Sequence, residues 1–293
     1  MLAGAGIVLL QLGHPAFAGD PFRPNNPHDI SDTSEEMFYA MFRDGNYVAA
    51  RQYLENADAN ANNDPMFHAL SAAFHYLDED WDGLQEKAML TQRAAAALSS
   101  SDPLRSNLYE AVGIFLEGAH ILQIEGIAQG TPRALGMLQQ VFDLMETAEE
   151  INPEDPELSL LKGYMDLLLA VNLPFANPER AIERLETYGY PEYVAYRGIA
   201  LGYRDLDKNE EALRAVNVAL ETASNNPDLL YLKAQVLRRL DRDAESLEYF
   251  EQAMEYADQL PVGTTRQIAI ERCRAGGEER ETCKQRANEQ YGS

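Results

Sequence analysis

Two cysteines, Cys273 and Cys283, are the residues of this sequence best placed to form a covalent cross-link. The segments that carry them are helical in character, and a Gly276-Gly277 pair lies between them, where a turn would bring the sulfur atoms together. A Cys-x-x-Cys redox centre is excluded by the spacing, and two cysteines without a nearby histidine cannot complete a structural zinc site. In an oxidising compartment the pair therefore predicts a disulfide.

Histidines can bind metals or act as general bases, but their spacing in this sequence favours neither role. His68 and His75 share a predicted helix face with aromatic neighbours, and no His-Glu-x-x-His pattern presents two zinc ligands on one helix. His120 lies within an apolar segment. We therefore expect these histidines to pack in the core or at its edge, and we predict no metal centre.

Other patterns that carry chemistry are also missing. The acidic run over 78–82 lacks the alternating aspartates, glycine and terminal glutamate of a calcium-binding loop, and it is typical of a solvated turn between helices. The sequence contains no glycine-rich phosphate loop and no Gly-x-Ser-x-Gly elbow. It thus predicts no catalytic residues and no cofactor, which favours a protein that is not an enzyme.

The balance of charge narrows the choice of partners. Forty-eight acidic and 24 basic residues give a net charge of −24, a field that repels nucleic-acid phosphates and anionic lipid headgroups. We therefore expect a protein or peptide partner and no nucleic acid. Because 14 of the 24 basic residues lie in 191–293, the C-terminal third is where we expect an acidic or carboxylate group to be recognised.

Residues 1–18 have the pattern of a secretion signal. They carry no charged side chain, contain an apolar run over 7–10 and end with the small residues Ala16 and Ala18, which signal peptidase accepts. The apolar run is too short to span a bilayer, so we predict no integral membrane anchor. We expect export to the periplasm, with the thylakoid lumen or the extracellular space as alternatives. An extended, proline-containing lead-in is predicted over 19–32.

A repeat of 34 residues indicates how the second half of the chain is organised. Residues 195–227 and 229–261 match each other at this offset. The identical pairs are Ala200 and Ala234, Arg204 and Arg238, Leu206 and Leu240, Asp207 and Asp241, Glu211 and Glu245, Leu213 and Leu247, Ala219 and Ala253, Glu221 and Glu255, and Pro227 and Pro261. Such a repeat indicates stacked helix pairs, because each pair alone leaves part of its apolar face uncovered.

These residues resemble the tetratricopeptide repeat family, in which small residues allow two paired helices to approach closely. The matching positions are Tyr196, Ala200 and Tyr203 on the first helix and Ala212, Val216 and Ala219 on the second. Looser matches occur at 45–57 and 148–153. The acidic, exported character of the chain is similar to that of cyanobacterial exported members of the family.

The resemblance and the helix punctuation together predict an all-α fold. The resemblance implies a right-handed α-solenoid of about six helix pairs over 33–262, and a disulfide-closed helical cap is expected over 263–293. Breaks at Asp-Pro, Asn-Pro and glycine place the helix boundaries. The predicted pairs are 33–43 with 46–58, 66–78 with 82–98, 104–126 with 131–151, 156–171 with 178–187, 192–206 with 209–223, and 228–240 with 243–258.

The resemblance also implies a binding groove, which the first helices line in this family. Carried onto this sequence, the frame places on the groove wall Arg197, Leu201, Arg204, Tyr231, Gln235 and Arg238. Such an Arg and Tyr stripe can hold a carboxylate or an acidic segment. The family's carboxylate clamp is not reproduced, because Leu201 and Gln235 replace its asparagines. The alternative, that the arginines only pair with Asp205, Asp207 or Glu211, stays open.

Two hypotheses from different classes fit these features. The first, which we prefer, is a non-enzymatic scaffold or adaptor that binds a protein partner in the groove. The second is a structural or assembly subunit of an envelope or thylakoid complex. A nearly continuous apolar helix over 158–171 and the insertion over 172–178 form a second candidate surface.

We expect the exported protein to begin at Gly19, because Ala16 and Ala18 supply the small side chains needed before the cleaved bond. N-terminal sequencing of the protein isolated from its native source measures this directly. An intact Met1 on a cytoplasmic protein would contradict both the leader and the export that it implies.

Overall fold

The computed structural model describes residues 19–172 and 177–292. This part of the chain is built of fourteen α-helices, one π-helical turn and two 3-10 turns, without any strand, which confirms the all-α class. The predicted leader over 1–18 and the central part of the insertion, 173–176, lie outside the described residues. None of the described helices is both long and apolar enough to cross a membrane.

Most helix bounds agree with the predicted ones to within a few residues. The helices are α1 (Asp32–Phe38), continued by a π-helix (Tyr39–Arg43), α2 (Tyr47–Glu55), α3 (Pro65–Leu77), α4 (Trp81–Ala97), α5 (Pro103–Glu125), α6 (Ile127–Ile151), α7 (Pro156–Asn172), α8 (Pro178–Tyr188), α9 (Glu192–Asp205), α10 (Asn209–Thr222), α11 (Pro227–Arg239), α12 (Asp243–Met254), α13 (Val262–Ala275) and α14 (Arg280–Tyr291). The largest difference at a helix start is in α6, which begins at Ile127, four residues before the predicted 131, so that Pro132 lies inside the helix. A proline this close to the helix start removes only one backbone hydrogen bond.

Five helices begin in the same way, with an Asp or Asn followed by a proline at the first helical position. The side-chain oxygen of the capping residue accepts a hydrogen bond from a backbone N–H of the first turn, and the proline lacks an N–H that would have no partner there. The caps are Asp64, Asp102, Asp155, Asn177 and Asn226. This is why the Asx-Pro punctuation located helix starts correctly.

The turns within the C-terminal helix pairs share one geometry. Asp207 and Asp241 both have a φ of 58°, and Gly277 has a φ of 87°. In each turn the following amide donates to the carbonyl five residues earlier, as in a Schellman motif. The 34-residue sequence repeat is thus a repeat of turn geometry in α9–α12. The pair α13–α14, predicted as a cap, uses the same turn.

The first helix pair makes contacts that nearest-neighbour stacking does not include. The side-chain amide of Asn226, which caps α11, donates to the carbonyls of Phe42 and Arg43 at 2.9 and 3.2 Å. The hydroxyl of Tyr47 donates to Asp228 Oδ2 at 2.8 Å. Buried side chains of α1 belong to the same apolar cluster as those of α9–α11. Helices far apart in the sequence therefore close on one core.

The lead-in, predicted over 19–32, is non-helical over 19–31, and part of it is buried in the core. Phe22 and Ile30 are buried, and Phe22 packs edge-on against Phe38 with ring centroids 4.9 Å apart. Arg23 is also buried and donates two hydrogen bonds to Asp155, at 2.8 and 2.7 Å. The segment therefore contributes to the packing of the helices that it precedes.

A buried ion cluster joins this lead-in to α3, α5 and α7. Arg105 is 1% exposed and reaches Glu157 and Asp64, each at 3.3 Å. Glu157 also accepts hydrogen bonds from Arg23 at 3.0 Å and from the Tyr109 hydroxyl at 2.5 Å. Burial by itself lowers the pKa of Arg105, but the charge of Glu157 raises it above its ordinary value. The guanidinium therefore stays charged inside the protein.

A disulfide joins Cys273 on α13 to Cys283 on α14, which confirms the predicted pairing. The two residues are 10 apart in sequence, so the bond closes a short loop. Restricting such a loop in the unfolded chain stabilises the fold by about 2–3 kcal/mol. The bond thus fixes the last helix pair, which has no further helix beyond it in the described chain.

We expect Arg105→Met to lower the free energy of unfolding by about 3–5 kcal/mol, because it leaves Glu157 and Asp64 buried without this counter-charge. Arg133→Met is the matched control, since the Arg133–Glu125 pair is exposed and contributes less than about 1 kcal/mol. Urea unfolding followed by circular dichroism measures both. Equal losses of unfolding free energy in the two variants would show that the buried cluster stabilises the fold no more than an exposed ion pair does.

Candidate functional site

A polar cavity of about 510 Å³ opens beside the C-terminal ends of α9, α11 and α13. Its lining residues are Arg204, Gln235, Arg238, Arg239, Glu271 and Arg274. Four guanidinium groups and one carboxylate thus share one cavity in a chain whose net charge is −24. We call this cavity the arginine pocket.

The shared turn geometry explains why these arginines meet. Arg204, Arg238 and Arg274 each lie three residues before the left-handed residue of their turn, in the last turn of their helices. Equivalent positions in successive helix pairs lie on the same side of the stack, so side chains there line up. The repeat therefore delivers one arginine from each of three first helices to the pocket.

The structure brings together three of the six predicted groove residues: Arg204, Gln235 and Arg238 line the pocket. Arg204 donates to the Gln235 side-chain oxygen at 2.8 Å and pairs with Asp205 at 2.8 Å. Gln235 in turn donates to Glu271 at 3.2 Å. Arg204 is thus already engaged, as the alternative of pairing with neighbouring acids anticipated, and it forms part of the pocket's wall.

The other three predicted residues have different surroundings. Tyr231 donates to Glu271 at 2.9 Å and so holds that carboxylate in place. Arg197 lies 3.5 Å from Asp228, the residue that also accepts from Tyr47 on α2. Leu201 packs against the apolar core. Arg197 and Leu201 do not line the pocket, because their positions lie farther from the helix end, where the first helix pair packs.

Two arginines of the pocket keep most of their donors available. Arg238 makes one long contact, 3.5 Å, to the Glu271 carbonyl. Arg274 is exposed, and within residues 19–172 and 177–292 its side chain forms no hydrogen bond or ion pair. Arg239, by comparison, donates to the Arg204 carbonyl at 2.8 Å and to Asp207 at 3.1 Å. Arg238 and Arg274 are therefore the residues most able to bind a ligand.

Sequence reasoning missed Arg239, Glu271 and Arg274. Glu271 and Arg274 belong to α13, which was predicted to be part of a cap and not a first helix. The sequence feature that could have revealed Glu271 and Arg274 is Gly277. Its turn corresponds to the turn at Asp241, displaced by two inserted residues from the 34-residue repeat. Aligned on these turns, Arg274 takes the place of Arg238.

Helix C-termini favour basic residues by themselves, because the last carbonyls carry partial negative charge worth about 0.3–1 kcal/mol to a cation. That effect accounts for an arginine at a single helix end. It does not account for three helix ends opening into one cavity, or for the second arginine at the end of α11. A guanidinium pair of this kind can bind a carboxylate or phosphate through paired N–H donors.

A second surface feature is apolar. Three neighbouring cavities of about 300, 310 and 270 Å³ follow one another along α5, and adjacent cavities share lining side chains such as Leu161 and Phe115. Helix α7, which the sequence made part of a second candidate surface, contributes buried Leu160 and Leu167, whereas Leu168 is exposed. Five exposed apolar side chains on α5, α6 and α7 form what we call the apolar face: Phe115, Ile124, Ile127, Leu135 and Leu168.

The histidines have structural surroundings. His68 is buried and its Nε2 lies 2.9 Å from the Asn62 carbonyl, and burial lowers the pKa of its imidazole. His75 Nδ1 lies 2.8 Å from Asp80 in the acidic turn before α4. Among the described residues, no group of three or more His, Cys, Asp or Glu side chains is arranged to hold a metal ion.

No protein-family model matches this chain, and no curated protein is similar to it at a significant level. The resemblance to tetratricopeptide repeats stays a prediction that rests on the repeat residues themselves. The chemistry of the arginine pocket, in contrast, follows from the side chains that line it and does not depend on similarity to a known protein.

Proposed function

We propose that this protein is a non-enzymatic scaffold or adaptor that captures an acidic segment, or a C-terminal carboxylate, of a protein partner in the arginine pocket. The observation that carries the proposal is the convergence of four arginines from three helices around one open cavity. Arg238 and Arg274 supply the donors, while Gln235 and Glu271 fix the wall behind them.

The strongly negative net charge of the chain limits which anionic partners can reach the arginine pocket. A chain of −24 repels a long polyanion over distances comparable to the Debye length, about 8 Å at physiological salt. A short acidic segment brings only a few charges and reaches the arginines directly. The proposed partner is therefore a protein with a local acidic group and not a nucleic acid, whose phosphates would meet the repulsive field along their whole length.

The proposed place of action is an exported compartment, the periplasm or its equivalent. The Cys273–Cys283 disulfide is compatible with this, because such bonds persist in oxidising surroundings. The leader pattern of residues 1–18 supports the same assignment.

We expect Arg238→Glu with Arg274→Glu to weaken binding of a peptide of six glutamates, ending in a free carboxylate, by about a hundredfold or more. Each charge-assisted contact is worth roughly 1.5–3 kcal/mol, and two are lost. Fluorescence anisotropy with labelled peptide measures the affinity, which should also fall as salt is added.

The matched control is Arg93→Glu with Arg280→Glu, two exposed arginines outside the pocket that change the net charge by the same amount. This control should bind the peptide nearly as well as the native protein. If both double variants lost the same affinity, overall charge and not the pocket would control binding, and the proposal would fail.

A second candidate function, a structural subunit of a larger assembly, is favoured by the apolar face. Ile127 is 79% exposed and Leu135 is 59% exposed, both on α6, the longest helix of the described chain, and Leu135 lines one of the apolar cavities. Exposed apolar side chains grouped in this way are typical of surfaces that another protein covers. The face is separate from the arginine pocket, so the two functions can be tested independently.

For the assembly hypothesis, we expect Ile127→Asp with Leu135→Asp to abolish recovery of a stoichiometric complex from the native source, because burying either carboxylate in an interface is costly. Val48→Asp with Val262→Asp changes two exposed apolar residues elsewhere and serves as the control. Co-purification followed by light scattering provides the measurement. A monomer in all three samples would rule out the assembly role of this face.

A further inference from the structure

The backbone nitrogen of Gly19 lies against an acidic side chain. It donates to Glu35 Oε2 of α1 at 2.8 Å. Glu35 is partly buried, and the groups that face it are the Tyr39 hydroxyl, which hydrogen-bonds to it, and the like charges of Glu36 and Asp32. Within the described residues, Glu35 has no Lys, Arg or His partner. Its carboxylate is thus held in acidic surroundings with a backbone nitrogen in place of a cation.

The space at this position fits glycine alone without rearrangement. A Cβ added to residue 19 would lie 2.4 Å from Glu35 Oε1, which is closer than side-chain carbons approach an oxygen. A side chain at this position would therefore require the flexible end of Glu35 to move away from the Gly19 backbone. The following residues are fixed as well, because Asp20 accepts from the Phe22 amide at 2.8 Å and pairs with Arg23 at 2.9 Å.

We infer that Glu35 is the binding site for the α-ammonium group of a chain that begins at Gly19. Hydrolysis of the Ala18–Gly19 peptide bond by a signal peptidase adds one water molecule. The carbonyl carbon of Ala18 takes the hydroxyl group, and the Gly19 nitrogen takes the proton to become an amine. At neutral pH this amine binds a further proton, and the same nitrogen that donated as an amide then carries a positive charge 2.8 Å from a carboxylate.

This change strengthens an existing contact without moving either group. A charge-assisted N–H···O bond is about twice as strong as a neutral one. Burial raises the pKa of Glu35, while the Gly19 and Tyr39 hydrogen bonds lower it in part. An ammonium group at the Gly19 nitrogen would lower it further and so favour the charged carboxylate. Cleavage of the leader thereby strengthens the contact between the lead-in and α1. The lead-in in turn positions Arg23 in the buried ion cluster. The inference rests on leader removal and is independent of the arginine pocket.

The test is the pKa of the Gly19 α-amino group, measured by nitrogen-15 NMR on protein exported and processed in a heterologous host. An ordinary α-amino group has a pKa of about 8. We expect a rise of roughly one unit, a tenfold shift in proton affinity, in the native protein and in the control Glu36→Gln. In Glu35→Gln the pKa should return to the ordinary range. The Tyr39 hydroxyl does not interfere, because burial raises its pKa to about 12.

A second measurement keeps the inference testable if Glu35→Gln folds poorly. N-terminal acetylation of the processed protein removes the ammonium charge, and we expect the acetylated form to melt at a lower temperature. Because the pKa of the folded amine is raised, this difference should be largest between the pKa of Glu35 and pH 8, and it should vanish as the pH rises past the folded pKa of the amine. An α-amino pKa equal in the native protein and Glu35→Gln, a melting difference independent of pH, or a processed chain that starts elsewhere would each overturn the inference.

Discussion

The buried pairing of Arg105 with Glu157 and Asp64 is the interaction on which the rest of this fold depends. The three charged side chains lie between the starts of α3 and α7. A buried charge is stable only when its oppositely charged and hydrogen-bonding partners are all in place. Those partners include the caps of both helices and the lead-in, so helix starts, lead-in and α5 are fixed together. An error at any of them would leave an uncompensated carboxylate in the core.

Arginine performs two opposite tasks in this molecule. Arg105 is buried with its donors engaged, which makes it part of the framework. Arg274 is exposed at a helix end and lines an open cavity. The Gln235 and Tyr231 side chains hydrogen-bond to Glu271 in the wall of the pocket, and most donors of Arg274 and Arg238 remain available. A strongly acidic chain can therefore present one local site for an anion.

The helices could be predicted from the sequence because their signals are local. Asx-Pro pairs mark five helix starts, and the 34-residue repeat follows the turns at Asp207 and Asp241. Only half of the residues that line the pocket could be predicted. Two extra residues before Gly277 shift α13 out of the 34-residue repeat, so Arg274 does not align with Arg238 at that offset. The buried cluster was not predictable at all. Nothing local distinguishes Arg105 from an exposed arginine, and its burial follows from contacts with residues up to 76 positions away.

In the proposed function, Arg238 and Arg274 together bind an anionic protein segment. The most direct measurement is the NMR signal of each arginine side-chain Nε–Hε group during titration with the six-glutamate peptide. We predict that the signals of Arg238 and Arg274 shift together and saturate at one peptide per protein, while the signal of exposed Arg93 stays unchanged. Shifts spread evenly over exposed arginines, or no shift at Arg238 and Arg274, would contradict the account.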